Sequence, residues 1–364
     1  MDRTTYHDQT DLQNTLKLRE VLKTLPEFSR DYFRAMDATT TTKTRISYAY
    51  DIRIFFQFLI QNNPAFHDRS TQDFTVEVLD QVQAVDIEEY MEYLKVYKDS
   101  DDEYITNGER GLKRKISALR SFYAYYFRHE MIKTNPTVLI DMPKIHEKAI
   151  IRLDADEVAR LLDYMEHCGD KLTGQKKVYY EKTKERDLAI VTLLLGTGVR
   201  VSECVGLDVE DVDFKNNAVK VTRKGGNEMF VYFGPEVEKA LKQYLEVRES
   251  ITPVAGHEHA LFYSTQRKRI GVQAVENLVK KYAREITTTK KITPHKLRST
   301  YGTALYQETG DIYLVADVLG HKDVNTTRKH YAAIDDQRRR MAATAVKLRE
   351  EASPASDKSQ GKEP

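Results

Sequence analysis

At 364 residues the chain is longer than one hydrophobic core usually organises, so two domains are expected, each large enough to fold alone. Charged residues make up 31% of it, no apolar run approaches the roughly 18 residues of a membrane span, and the N-terminus MDRTTYHDQT has no hydrophobic signal segment, which together predict a soluble, cytoplasmic protein without a membrane anchor. Its two cysteines, Cys168 and Cys204, lack CxxC or Cys/His ligand spacing, so neither disulfides nor structural zinc are expected. The formal net charge of +1 is not the large positive excess of a dedicated nucleic-acid binder.

The distribution of charge says more than its sum. The segment 110-RGLKRKISALRSFYAYYFRHEMIK-133 is strongly basic, whereas acid concentrates in 99-DSDDE-103 and 208-DVEDVD-213, so basic faces can exist on a nearly neutral molecule. Residues 8–36 read as one or two polar helices with a loose apolar stripe through Leu12, Leu16, Leu18, Val21 and Leu22. In 39-TTTTKT-44 hydroxyls are available to cap a helix, and Ile52, Phe55, Phe56 and Leu59 then recur at helical spacing. A helix around 85–97 leads into the acidic loop. After that loop, Leu112, Ile116, Leu119, Tyr123 and Tyr126 form an apolar stripe flanked by Lys113, Arg114, Lys115 and Arg120, a helix with a core side and a cationic side.

Pro136 and Pro143 interrupt helix and strand alike, and a linker is expected at 142–150 between a helical domain at 1–141 and a second domain at 151–334. That second domain opens with a helix capped by an Asp in 153-LDADEVARLLDYM-165, and 186-RDLAIVTLLLGTGVRVSECVGL-207 holds the most apolar run of the chain, its expected core helix. Between 218 and 233 the period becomes two around a KGGN turn, the mark of a β-hairpin. Helices are expected again at about 235–249, 271–286, 295–309, 311–319 and 323–331, then at 335–351, before a disordered Ser/Lys/Pro-rich tail at 352–364. The fold class is therefore mainly α with a small antiparallel β-hairpin or sheet in the C-terminal domain.

Four short segments of this domain stand out when taken together. A glycine-containing turn in 197-TGVRVSECVGL-207 delivers Arg200 to a helix start, and Lys224 sits at the hairpin tip. In 293-TPHKLRSTYGTAL-305, His295 and Arg298 share a helix face behind a proline, and 319-LGHKDVNTTRKHYA-332 carries His321 and Tyr331. Each alone has a bland reading, since an arginine there is usually an ion pair and a lysine beside Gly-Gly usually only solvated.

In this order, the R…K…HxxR…LGH…Y pattern resembles the tyrosine site-specific recombinases, the family of Xer proteins and phage-type integrases. The resemblance covers the whole second domain and, less specifically, the helical first domain. Within the family the chain is most similar to the single-protein Xer recombinases of the streptococcal, XerS-like type, through its extended N-terminal segment and the charged insert 169-GDKLTGQKKVYYEKTKERD-187. The implied architecture is a two-domain DNA clamp, a helical SAM-like core-binding domain joined to a tyrosine recombinase catalytic domain.

The resemblance implies roles residue by residue. Tyr331 is the implied nucleophile, forming a 3′-phosphotyrosyl bond. Arg200 and Arg298 would clamp the non-bridging phosphate oxygens, and Lys224 would act as general acid to the leaving 5′-oxygen. His295 would be the general base towards the tyrosine, and His321 would donate a hydrogen bond to the phosphate. Glu203 would orient its neighbours. No cofactor, metal or ATP is implied, because two guanidiniums and a lysine supply the positive charge and the phosphotyrosyl bond conserves the phosphodiester energy. Two features depart from the common pattern: Ser299 replaces a frequent second histidine, and Tyr331 lies ten residues after His321 where many Xer proteins have nine, the nine-residue place being filled by His330.

The expected partner is a double-stranded DNA site of inverted repeats. Candidate contacts are Lys113, Arg114, Lys115 and Arg120 on the basic helix, Thr41, Thr42, Lys43 and Arg45 at the start of an earlier helix, and Lys322 and Arg328 beside the nucleophile. The resemblance further implies a homotetramer on two sites, held by the 335–351 helix with its stripe Met341, Ala342, Ala345, Val346 and Leu348, and an accessory regulatory protein is a further candidate partner. Chromosome dimer resolution is the leading role. Integration by a mobile element uses the same active site, and type IB topoisomerase relaxation or DNA binding without catalysis are the alternatives from other classes.

Overall fold

A computed structural model describes residues 5–67, 69–99, 101–146, 150–223, 226–321 and 323–324. Lys224, Lys322, Arg328 and Tyr331 lie outside these residues, as do the expected 335–351 helix, the tail and most of the 323–331 helix. The chain divides into two compact units, Met1–Lys148 and Ala149–Pro364. No helix among the described residues is long and apolar enough to cross a membrane.

The first unit is helical: α1 (Tyr6–Leu22), α2 (Ser29–Ala35), α3 (Thr42–Asn62), α4 (Val78–Gln81), α5 (Ala84–Tyr93) and α6 (Glu109–Arg128). Thr41 caps α3 by accepting from the Thr44 N–H, as the hydroxyl run predicts. The apolar stripes of α3 and α6 meet, and Phe28, Phe56, Phe122 and Tyr126 form an edge-to-face aromatic cluster at the centre. Buried tyrosines reach polar partners at its edge: Tyr32 donates to Ser121 Oγ at 2.9 Å and Tyr126 to the Phe28 carbonyl at 2.8 Å. Where the sequence suggested helix up to residue 97, α5 stops at Tyr93 and the chain forms a two-stranded hairpin, β1 (Val96–Lys98) and β2 (Tyr104–Thr106), with the acidic loop at its tip.

The basic helix α6 is less divided than its sequence suggests. Lys115 stands four and seven residues before Leu119 and Phe122, which puts it on the buried face, where its side chain is 7% exposed and its ammonium lies 3.4 Å from Asp51 of α3. Arg114 bonds the other oxygen of the same buried carboxylate. Burial pushes the Asp51 carboxyl up against the pull of both cations, and pushes the Lys115 ammonium down against the pull of Asp51. Asp51→Ala would strand Lys115 in the core and should cost about 3–5 kcal/mol by denaturant unfolding, while Asp51→Leu with Lys115→Met should recover most of that loss.

The second unit contains α7 (Ala155–His167), α8 (Gly174–Thr197), α9 (Val201–Gly206), α10 (Pro235–Glu249), α11 (Val272–Ile286), α12 (Pro294–Thr309) and α13 (Ile312–Leu319). Strands β3 (Val212–Asp213), β4 (Ala218–Thr222) and β5 (Glu228–Tyr232) form an antiparallel sheet in the order β3-β4-β5, one strand more than the hairpin expected. The apolar run 189–194 makes α8 the central helix, packed by α7, α10, α11 and α12. From Gly174 onward the charged insert forms the first half of α8, tied down by Tyr180, whose hydroxyl donates to the Met165 and Glu166 carbonyls at 2.9 and 2.7 Å. Buried Arg186 and Asp187 form an internal pair, with Arg186 also donating to the Tyr263 carbonyl at 2.9 Å.

Candidate active site

Three helix ends of the second unit converge. Gly198 stops α8 in the left-handed conformation with φ 64°, and a Cβ there would collide with Tyr301 of α12 and Leu319 of α13. This reversal places Arg200 at the start of α9. Glu203 holds both ends of that residue: it accepts from the Arg200 backbone N–H at 2.8 Å and from the guanidinium at 2.6 Å. The Glu203 side chain is 4% exposed and that of Arg200 35%, so a buried carboxylate aims a half-exposed cation.

Pro294 opens α12, which puts His295 in its exposed first turn and Arg298 one turn further in, 5% exposed. Arg298 donates one nitrogen to the Gly198 carbonyl and the other to that of Leu319, so it fastens the end of α8 to the end of α13. Gly320, φ 62°, closes α13. The N–H of His321 reaches back to the Ala316 carbonyl at 2.9 Å and that of Gly320 to Asp317 at 2.8 Å, a Schellman arrangement. His321 follows immediately and is half-buried.

Such a helix end leaves its last carbonyls without intrahelical donors. Here those of Val318, Leu319 and Gly320 each accept from a different arginine: Arg223 at 2.8 Å, Arg298, and Arg200 at 3.1 Å. Arg223, the residue after β4, is absent from the expected site. Its guanidinium pKa is lowered by burial, with the neighbouring charge of Glu203 opposing the shift and that of Arg200 adding to it. A hint was present in its position directly before Lys224 on the hairpin, but nothing in local spacing links residue 223 to residue 318.

Arg200, Glu203, Arg298 and the turn leading to His321 are thus brought together, with His295 on the helix that carries Arg298. Among the described residues no group of three or more His, Cys, Asp or Glu side chains is arranged to hold a metal ion. Cys204 is fully buried, which pushes its thiol up to about 12, well out of nucleophilic range at neutral pH.

The candidate contacts on the first unit divide by their internal commitments. Lys43 is exposed and Lys113 half-exposed. Thr42 is buried, and Arg45 is tied to Asp37 at 2.5 Å and to Thr42 Oγ1 at 3.3 Å. Arg120 donates to the Thr137 and Ile140 carbonyls, bracing the segment after α6, and Arg114 and Lys115 serve Asp51. Lys115 and Arg120 thus also bond within their own unit.

Comparison with known proteins agrees with this picture. Residues 151–338 match the model of the phage integrase family. The tyrosine recombinase XerS of Streptococcus uberis is 30% identical over 349 residues, covering 89% of this chain and 96% of that protein. The tyrosine recombinase XerC of Caldanaerobacter subterraneus subsp. tengcongensis is 31% identical, covering 92% and 91%. Among solved structures, the Tn1549 transposon integrase in complex with circular intermediate DNA gives a TM-score of 0.60 at 19% identity, covering 85% of this chain and 97% of that one. The XerH site-specific recombinase bound to a palindromic difH substrate gives 0.59 at 20% identity, covering 83% and 79%. The chain belongs to the phage integrase family and is a tyrosine recombinase, a DNA strand-exchange enzyme.

Proposed function

We propose that the chain is a site-specific recombinase of the Xer type, acting in the cytoplasm to resolve chromosome dimers before division. The observation that carries the catalytic reading is the convergence of Arg200 and Arg298 on the turn before His321, with Glu203 buried beneath Arg200. Two planar guanidiniums so held suit the extra charge of a pentacoordinate phosphorane. In the proposed reaction the phenol oxygen of Tyr331 attacks the scissile phosphorus, its proton passing to His295. The bond to the 5′-oxygen breaks, and Lys224 supplies the proton that leaves with the 5′-hydroxyl. His321 donates to a non-bridging oxygen. The 3′-phosphotyrosyl bond keeps the phosphodiester energy, so a 5′-hydroxyl from a second duplex can reverse the step and build a Holliday junction.

Exposed Lys43 and half-exposed Lys113 remain proposed phosphate contacts, together with Thr41 at the α3 N-terminus and Lys322 and Arg328 by sequence. Domain boundaries at 141 and 151, a tetramer cyclically linked by the 335–351 helix, and gating by an accessory protein complete the proposal. The relatives named XerS and XerC support the Xer role.

The test is a pair of duplex sites from the host's replication-terminus region. A nicked suicide substrate should yield a covalent 3′-DNA adduct, and two intact sites should accumulate a four-way junction and recombinant product. Relaxation of supercoils without junctions would overturn the recombinase reading. Activity only on the ends of a mobile element would replace the chromosomal role by integration.

A further inference from the structure

We propose that Arg223 is a positioning residue of the active site, the third guanidinium that fixes the Val318–Gly320 turn from which Arg200 and Arg298 are held. This rests on the reading of Arg200 and Arg298 as the phosphate clamp, and deepens it by adding a residue outside the family pattern.

The geometry is specific to this turn. The Arg223 guanidinium donates to the Val318 carbonyl at 2.8 Å and packs against the α-carbon of Gly320, so closely that a Cβ on residue 320 would fall on it. Gly320 is therefore required twice, for its positive φ and for the approach of Arg223. Each of the three carbonyls after the last intrahelical donor is taken by a separate arginine, and the three come from different elements: Arg223 from the end of β4, Arg298 from α12, and Arg200 from the start of α9. The negative end of the α13 dipole favours this concentration of cations, and buried Glu203 offsets part of their mutual repulsion.

Beyond the Val318 carbonyl the Arg223 guanidinium bonds no other carbonyl or carboxylate among the described residues, where its Nε and Nη1 are buried without a hydrogen-bond partner. An arginine serving stability alone would normally have those donors satisfied. Holding it there is explained if the turn must be kept in register: without Arg223 the Val318 carbonyl loses its donor and the space over Gly320 opens. The neighbouring carbonyls that anchor Arg298 and Arg200 are then free to shift. Catalysis is sensitive to such shifts, because the clamp must meet oxygens whose charge develops only in the transition state.

The experiment measures single-turnover cleavage of DNA already bound by the full chain, on two suicide substrates. One carries the ordinary scissile phosphodiester, the other a methylphosphonate, in which a methyl group replaces a charged non-bridging oxygen and the clamp has less charge to stabilise. Arg223→Ala should slow cleavage of the phosphodiester by about 100-fold and that of the methylphosphonate by less than about 10-fold, the same pattern as Arg200→Ala. Because Arg223 acts through the clamp, the Arg200→Ala, Arg223→Ala double variant should be within about 3-fold of Arg200→Ala alone.

Equal deficits on both substrates would overturn the proposal, as would no deficit on either. Losses that multiply in the double variant would make Arg223 an independent phosphate contact and equally overturn the positioning role. If Arg200→Ala itself shows equal deficits on both substrates, the clamp reading falls and this proposal with it, an outcome distinguishable from failure of Arg223 alone. Should Arg223→Ala not fold, Arg223→Lys supports the same comparison, since one ammonium cannot both reach the Val318 carbonyl and cover Gly320.

Discussion

Tyr331→Phe should abolish the covalent 3′-DNA adduct while leaving DNA binding unchanged. Phenylalanine keeps the ring and removes only the attacking oxygen, so the single-turnover cleavage rate should fall by at least about 10⁴-fold, the scale of losing a nucleophile. The other tyrosines near the site are poor substitutes. Tyr306 is buried in the α12–α13 core, and burial raises the pKa of the Tyr301 phenol, which holds it in its weakly nucleophilic protonated form. Tyr313, at the start of α13, is 71% exposed and is the informative control: Tyr313→Phe should cleave at the wild-type rate. Denaturing gels of the suicide-substrate reaction, with gel shifts for binding, measure both. A 3′ adduct that persists in Tyr331→Phe would sink the assignment.

The choice of Tyr331 among 22 tyrosines shows what kind of information the sequence holds. Motif order singled it out. Helical periodicity likewise foretold α3, α6, α7, α10, α11, α12 and α13, because an amphipathic helix writes its buried face into neighbouring residues. Pairings between distant residues leave no such trace. In the sequence Lys115 is one more cation of a basic helix, and nothing near it marks Asp51, 64 residues earlier, as its buried partner. The same holds for Arg223, whose carbonyl partner is 95 residues away, and for the third strand β3, which is only two residues long. The polar first half of α8 carries few apolar residues, so its sequence shows charge and no clear helical stripe. Tyr180, Thr183 and the Arg186–Asp187 pair bury it through hydrogen bonds, which hydropathy does not register. Arg200 and Arg298 were legible as a pair only through the family pattern, and their common anchor on the end of α13 needed the fold.

That common anchor leads to different consequences for the two clamp residues. Both Arg200→Ala and Arg298→Ala should slow single-turnover cleavage by about 10³-fold, the scale of removing one donor to a developing oxyanion. Their effects on stability should have separate causes. Arg298 is buried and bridges the Gly198 and Leu319 carbonyls, so its loss leaves two inward-facing acceptors without this donor and loosens the junction of α8 with α13. About 2–4 kcal/mol should be lost in denaturant unfolding, with no single neighbouring change able to restore it. Arg200 contributes to stability mainly by neutralising Glu203, which loses its guanidinium partner and retains the Arg200 backbone N–H when the side chain is removed. Arg200→Ala should therefore cost about 1–3 kcal/mol, and adding Glu203→Gln should recover most of it by removing the stranded charge, without restoring cleavage. A double variant that regains cleavage would mean that Arg200 serves only to balance Glu203, and would remove it from the clamp. If Arg298→Ala is as stable as the parent, Arg298 is not the tie between the two helix ends, and its part in the site would rest on phosphate contact alone.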